Sequence, residues 1–100
     1  MQAVKSVSVT TLADNVVYHS GLLGQFGFSA YLEIKDGRGL RHSLVFDTGR
    51  IKSALLYNIK ALKLDLSQLE CVVLSHGHND HACATVELVR RSKRRVRVIV

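Results

Sequence analysis

Ser75-His76-Gly77-His78-Asn79-Asp80-His81-Ala82 follows directly on Cys71-Val72-Val73-Leu74, and the junction of these two stretches decides the fold. The apolar run predicts a short strand of a parallel sheet, covered on both faces, because consecutive apolar residues with two valines suit that environment. The histidines then fall where a strand ends and a loop begins, the edge of an open α/β sheet at which ligands are held. In extended backbone the period of two turns His76 and His78 to the same side, within reach of one cation. Asp80 and His81 fall at the turn into a following helix and face a second cation. Imidazole nitrogen and carboxylate oxygen suit zinc, and also iron or manganese.

These residues resemble a known family. His76-Gly77-His78-Asn79-Asp80-His81 looks like the H-x-H-x-D-H signature of the metallo-β-lactamase superfamily, and it stands after an apolar strand as that signature usually does. The resemblance implies an α/β (α+β) fold with a mixed sheet, the N-terminal half of an αββα sandwich. It further implies two bound ions, Zn2+ by expectation, with His76 and His78 on the first, Asp80 and His81 on the second, and Asp80 also moving a proton. The activity implied is metal-assisted hydrolysis by activated water.

Working back along the chain, Val4 to Ala13 predicts a first strand, with Val7 and Val9 alternating against polar neighbours. Val16 to Gly27, with its three glycines, predicts a surface loop. Phe28, Ala30, Leu32 and Ile34 alternate as in a half-buried strand. Asp36-Gly37-Arg38-Gly39 predicts a hairpin turn, because such turns need the positive φ that glycine adopts freely. The returning strand, Leu40 to Phe46, ends in Asp47-Thr48-Gly49. On its own Asp47 suits a helix cap. The resemblance assigns it instead a place beneath the histidine stretch, outside the set of metal ligands, where it orients that stretch by hydrogen bonds.

Ile51, Ala54, Leu55, Ile59 and Leu62 recur at helical spacing and predict an amphipathic helix ending near Lys63. Ser67-Gln68-Leu69-Glu70 has the spacing of a capping box and predicts one short turn. A helix from Ala82 to about Lys93 and a strand from Val96 to Val100 complete the order. Gly24 to Ser29, Leu32-Glu33, Val45 to Gly49, Asp65 to Ser67 and Val72 to His78 together resemble the dihydropterin-type branch, whose members include enzymes assigned to the ribofuranosyl-aminobenzene phosphate step of methanopterin synthesis. Gln25-Phe26 and Ala82-Cys83-Ala84 depart from that branch, which often has Glu-His and Thr-Gly-Gly there.

The composition, 47% hydrophobic and 22% charged over 100 residues, is that of one soluble globular domain. No stretch has the ~20 apolar residues that span a bilayer, and Met1 to Val7 lacks the apolar core of a signal peptide, so the expected location is cytoplasmic. Cys71 suits strand packing and Cys83 helix packing, and neither implies a disulfide. His19 and His42 suit surface or packing positions. The net charge of +6 concentrates in Arg90-Arg91-Ser92-Lys93-Arg94-Arg95 and Arg97; cations there complement the end of a helix.

Beyond His81 there is no histidine or aspartate, and Glu87 is the sole carboxylate side chain, whereas the superfamily's site uses further ligands later in the chain. The expectation is therefore that residues 1–100 are the N-terminal portion of one domain, completed by further residues, another chain or a homo-oligomer. Three function classes fit: a hydrolase or pterin-pathway enzyme acting on a small molecule, a nucleic-acid phosphodiesterase, and a non-catalytic metal-binding or interaction module.

Overall fold

The computed structural model describes residues 3–16, 21–25, 27–75 and 84–100. Within them the chain runs β1 (Val4–Ala13), β2 (Ser29–Asp36), β3 (Arg41–Phe46), α1 (Lys52–Ala61), β4 (Cys71–Val73), α2 (Thr85–Arg91) and β5 (Arg97–Ile99). The strands form one mixed sheet in the order β1-β2-β3-β4-β5. The first three pair antiparallel, while β4 lies parallel to both β3 and β5.

Local chemistry accounts for the hairpin between β2 and β3. Asp36 Oδ1 accepts from the amides of Arg38 and Leu40 at 2.9 and 3.0 Å, and Gly39 supplies φ +82°. Crossover through α1 then returns the chain to lay β4 beside β3, with Leu44, Val45 and Phe46 opposite Cys71, Val72 and Val73.

That register sorts side chains by face. Tyr31, Val45 and Val72 align across the sheet and join Leu55 and Ile59 of α1 and Leu88 of α2 in one core. Each such fully buried side chain contributes about 1.5–3 kcal/mol through water release. The other face carries Val9, Leu32, Leu44 and Cys71 in one row and Ala30, Phe46, Val73 and Ile99 in the next. No described helix covers it: Val9 is 62% exposed and Ile99 46%. Cys71 and Val73 are accordingly only half-buried, so β4 is parallel as expected but packed on one face. The alternation through Ala30, Leu32 and Ile34 marks this open face, and it is Tyr31 between them that enters the core.

Several boundaries differ from expectation. The helix expected from Ala82 begins at Thr85 among the described residues and stops at Arg91. Only Arg90 and Arg91 thus lie in its last turn, and Lys93 to Arg97 belong to the connection and to β5. The turn at Ser67 is closed by Asp65 Oδ1, which accepts from the Ser67 amide at 2.9 Å, rather than by a capping box. The glycine-rich stretch before β2 is not wholly at the surface, for Gln25 is buried. Among the described residues no helix is long and apolar enough to cross a membrane.

Candidate metal centre

His76, His78, Asp80 and His81 lie outside the described residues, as do His19 and Cys83. What the structure describes is the platform on either side of them. The turn that leaves β3 presents Asp47, Thr48 and Gly49, all buried. Asp47 Oδ1 accepts from the Ser75 amide and Oδ2 from the Ser75 hydroxyl, both at 2.8 Å. Thr48 Oγ1 accepts from the Ala84 amide at 3.3 Å. One turn therefore holds the residue directly before His76 and the residue that closes the stretch 76–83.

The turn is itself held from several sides. The Asp47 amide donates to Val73 O at 2.8 Å and the Gly49 amide to Phe28 O at 3.1 Å. Asp47 O accepts from the buried Ser29 hydroxyl at 2.6 Å. Asp47 has φ +53°, a left-handed conformation that costs an L residue about 1–2 kcal/mol and that Asp tolerates better than most. Strain of this kind persists where surrounding contacts over-determine it, and it clusters at functional sites.

Asp47 does not cap α1. The N-cap position is Ile51, which has no capping side chain, and Gln25 acts from a distance instead. Its Oε1 accepts from the Arg50 and Ile51 amides at 2.7 Å each, and its Nε2 donates to Ile51 O at 3.2 Å. A Cβ on Gly49 would stand 2.8 Å from Gln25 Oε1, so only glycine lets this amide approach. Asn58 ties the same region to α1, donating to Leu12 O and Leu23 O at 2.8 Å and accepting from the Leu23 amide at 2.8 Å. At the start of α2, Thr85 Oγ1 is buried with no hydrogen-bond partner among the described residues.

Sequence reasoning found Asp47 but not Thr48, Ser75, Gln25 or Asn58 as holders of the platform. The one available signal was Gln25, noted as a departure from the Glu-His pattern. Among the described residues no group of three or more His, Cys, Asp or Glu side chains is placed to hold a metal ion.

At the opposite end of the sheet His42 is neither a plain surface residue nor a packing one. Its Nε2 lies 3.0 Å from Asp36 Oδ2 and its Nδ1 3.1 Å from Glu70 Oε2, and Arg94 Nη1 donates to Glu70 Oε1 at 2.6 Å. Hydrogen bonds to Asp36 first, then Glu70, hold the His42 pKa above the usual imidazole value. The same contact from His42 lowers that of Asp36, helped by the Leu40 and Arg38 amides. Burial raises the Cys71 thiol, against a smaller opposing effect of Arg97.

Comparison with known proteins agrees with the fold. The model of the metallo-beta-lactamase superfamily matches residues 32–99. A curated Methanocaldococcus jannaschii protein, 7,8-dihydropterin-6-methyl-4-(beta-D-ribofuranosyl)-aminobenzene-5'-phosphate synthase, is 30% identical over 79 residues, 78% of this chain and 26% of its own length. Among solved structures, a Thermotoga maritima protein assigned to the metallo-beta-lactamases superposes with TM-score 0.57 at 24% identity, over 86% of this chain and 41% of that one. The Desulfovibrio gigas rubredoxin oxygen:oxidoreductase superposes with TM-score 0.51 at 21% identity, over 90% of this chain and 23% of that one. The chain spans about a quarter of the length of the curated relatives it matches. With the match running from within β2 to the end of β5, across the strand-end turn and the histidine stretch, the chain belongs to the metallo-beta-lactamase superfamily.

Proposed function

We propose that this chain supplies the first ligand cluster of a metal-dependent hydrolase acting on a small-molecule ester, phosphoester or pterin-related substrate. The observation that carries the reading is the double hold of Asp47 on Ser75 and of Thr48 on Ala84. A stretch of chain anchored at both ends by a buried, strained turn is what a set of ligands needs if their geometry is to be fixed before the ions arrive. Three imidazoles and a carboxylate between those anchors are a donor set suited to zinc, with iron and manganese close behind. When bound, such ions supply Lewis acidity, making water a better nucleophile near neutral pH and stabilising anionic charge that develops on the substrate.

His76 and His78 are assigned to the first ion, Asp80 and His81 to the second. Asp80 also accepts or delivers a proton at its carboxylate. Asp47 stays out of the ligand set and orients it: its two bonds to Ser75 set the start of the histidine stretch, and a carboxylate of this kind can hold the second ring N–H of a ligand imidazole. The Methanocaldococcus relative is named for a synthase and the Desulfovibrio structure for an oxidoreductase, so the fold leaves the reaction open. The open apolar face supports a companion proposal: a second sheet packs against Val9, Leu32, Leu44, Phe46 and Ile99, contributed by further polypeptide or another chain, and brings the remaining ligands.

Metal analysis of the purified chain after equilibration with zinc tests the assignment. We expect bound zinc in the wild type and a loss of at least half of it in His78→Ala. Equal zinc content in the two would overturn the ligand assignment.

A further inference from the structure

At the end of the sheet opposite the candidate metal centre, His42, Glu70, Cys71, Arg94, Arg95 and Arg97 line a hollow of about 600 Å³. It opens where the parallel strands β4 and β5 begin. Its walls are fixed by the backbone, because the Arg97 amide donates to Glu70 O at 3.0 Å and the strands pair Cys71 with Arg97. Ser75 lies four residues beyond Cys71, two of them past the end of β4, up to roughly 13 Å away at the ~3.3 Å rise of extended chain. The hollow is thus a separate place from the Asp47 turn.

Its charge is lopsided. Glu70 is already engaged by both Arg94 and His42, and Asp36 takes the other ring nitrogen of His42. Arg95 and Arg97 are exposed and make no ion pair with any described residue. Two guanidinium groups therefore overlook the hollow without an ion-pair partner among the described residues, beside an imidazole held toward its protonated form. The planar guanidinium fork matches phosphate oxygens in pairs, and the volume is that of a small-molecule site.

We propose that this hollow binds a phosphate group, inorganic or carried by a small phosphomonoester, through Arg95 and Arg97. Glu70 and Arg94 shape the wall, and the bound anion stands apart from the turn at Asp47 and Ser75. Its role is that of an anchor or effector. The assignment does not depend on the proposed hydrolase activity.

The test is a 15N chemical-shift titration of the full chain at low salt, once with inorganic phosphate and once with adenosine 5′-monophosphate. Saturable shifts centred on the amides of Glu70, Cys71 and Arg97 are expected, with affinity falling about tenfold in Arg95→Gln/Arg97→Gln. Tighter binding of the monophosphate shows that the hollow also holds the organic part; equal binding shows a phosphate site alone. Lys52→Gln, which removes an exposed charge at the start of α1, keeps wild-type affinity. Shifts that never saturate overturn the proposal, as does an equal loss in Lys52→Gln or wild-type affinity in the double variant.

Discussion

Both ends of the sheet place carboxylates between neighbouring elements, but they do so under opposite conditions. At the Asp47 end the acceptor is buried and its partners are an amide and a hydroxyl. At the His42 end the imidazole side chain is 40% exposed and its partners are the buried Asp36 carboxylate and the half-buried Glu70, the latter shared with an arginine. Burial removes water as a substitute partner for the Asp47 carboxylate, so losing a donor to it costs the desolvation of the oxygen left unpaired, although Ser75 itself is exposed. Exposure lets water and salt replace the contact, and the charges are worth correspondingly less. The first end suits a fixed scaffold, the second an adjustable strut.

The sharpest way to break this contrast is Asp47→Ala. It removes the acceptor of the Ser75 amide and hydroxyl, two hydrogen bonds at about 1 kcal/mol each because Ser75 itself is exposed, and leaves a residue less tolerant of φ +53° at the turn, so a loss of about 2–3 kcal/mol is expected. Asp47→Asn keeps an oxygen for the Ser75 amide and should lose about 1 kcal/mol. Urea unfolding with and without 0.5 M NaCl measures both, and salt should leave the losses unchanged. An alanine variant as stable as wild type would mean that the turn does not hold Ser75.

Next in size is the remote cap. Gln25→Ala removes the acceptor of two amides at the start of α1 and should cost about 1–2 kcal/mol, as loss of an N-cap does. Gly49→Ala forces a Cβ to 2.8 Å from Gln25 Oε1 at φ +71°, and should cost at least as much. Because both act on the one contact, the double variant Gln25→Ala/Gly49→Ala should lose less than the two single losses added together. Strict additivity would show that Gln25 and Gly49 act independently.

How far each end was legible in the sequence follows from the distance over which its contacts act. The hairpin at Asp36 was legible because its bonds run to residues 2 and 4 further on. The parallel strand after α1 was legible from its apolar run, but not its half-open packing, which depends on what covers the far face. Asp47 was legible only through family resemblance, because its partner Ser75 is 28 residues away. Gln25 meets Arg50 across 25 residues, and His42 meets Glu70 across 28; spacing along a chain gives no sign of such pairings. Spacing alone therefore places His42 at the surface or in packing, and offers Asp47 only as a helix cap.

The smallest effect, and the one that separates the two ends by kind rather than by size, is the pH dependence of the His42 strut. Its folded pKa is raised above the ordinary 6.5 by Asp36 and Glu70, so its contribution is fully present below that value. It disappears as pH rises through the folded pKa. Asp36 is lowered below the ordinary 3.8, so its contribution is present above that value and is lost as pH falls through the folded one. The strut therefore stabilises most between about pH 4 and 6.5 and fades on either side. Thermal unfolding of the wild type and of His42→Gln across this range should show the largest gap in Tm near pH 5 to 6, narrowing toward pH 9 and again toward pH 3, and shrinking in part in 0.5 M NaCl because the imidazole is open to solvent. A His42→Gln gap that stays constant from pH 5 to 9 would mean that the ring acts by packing, and the distinction between a fixed end and an adjustable one would not stand.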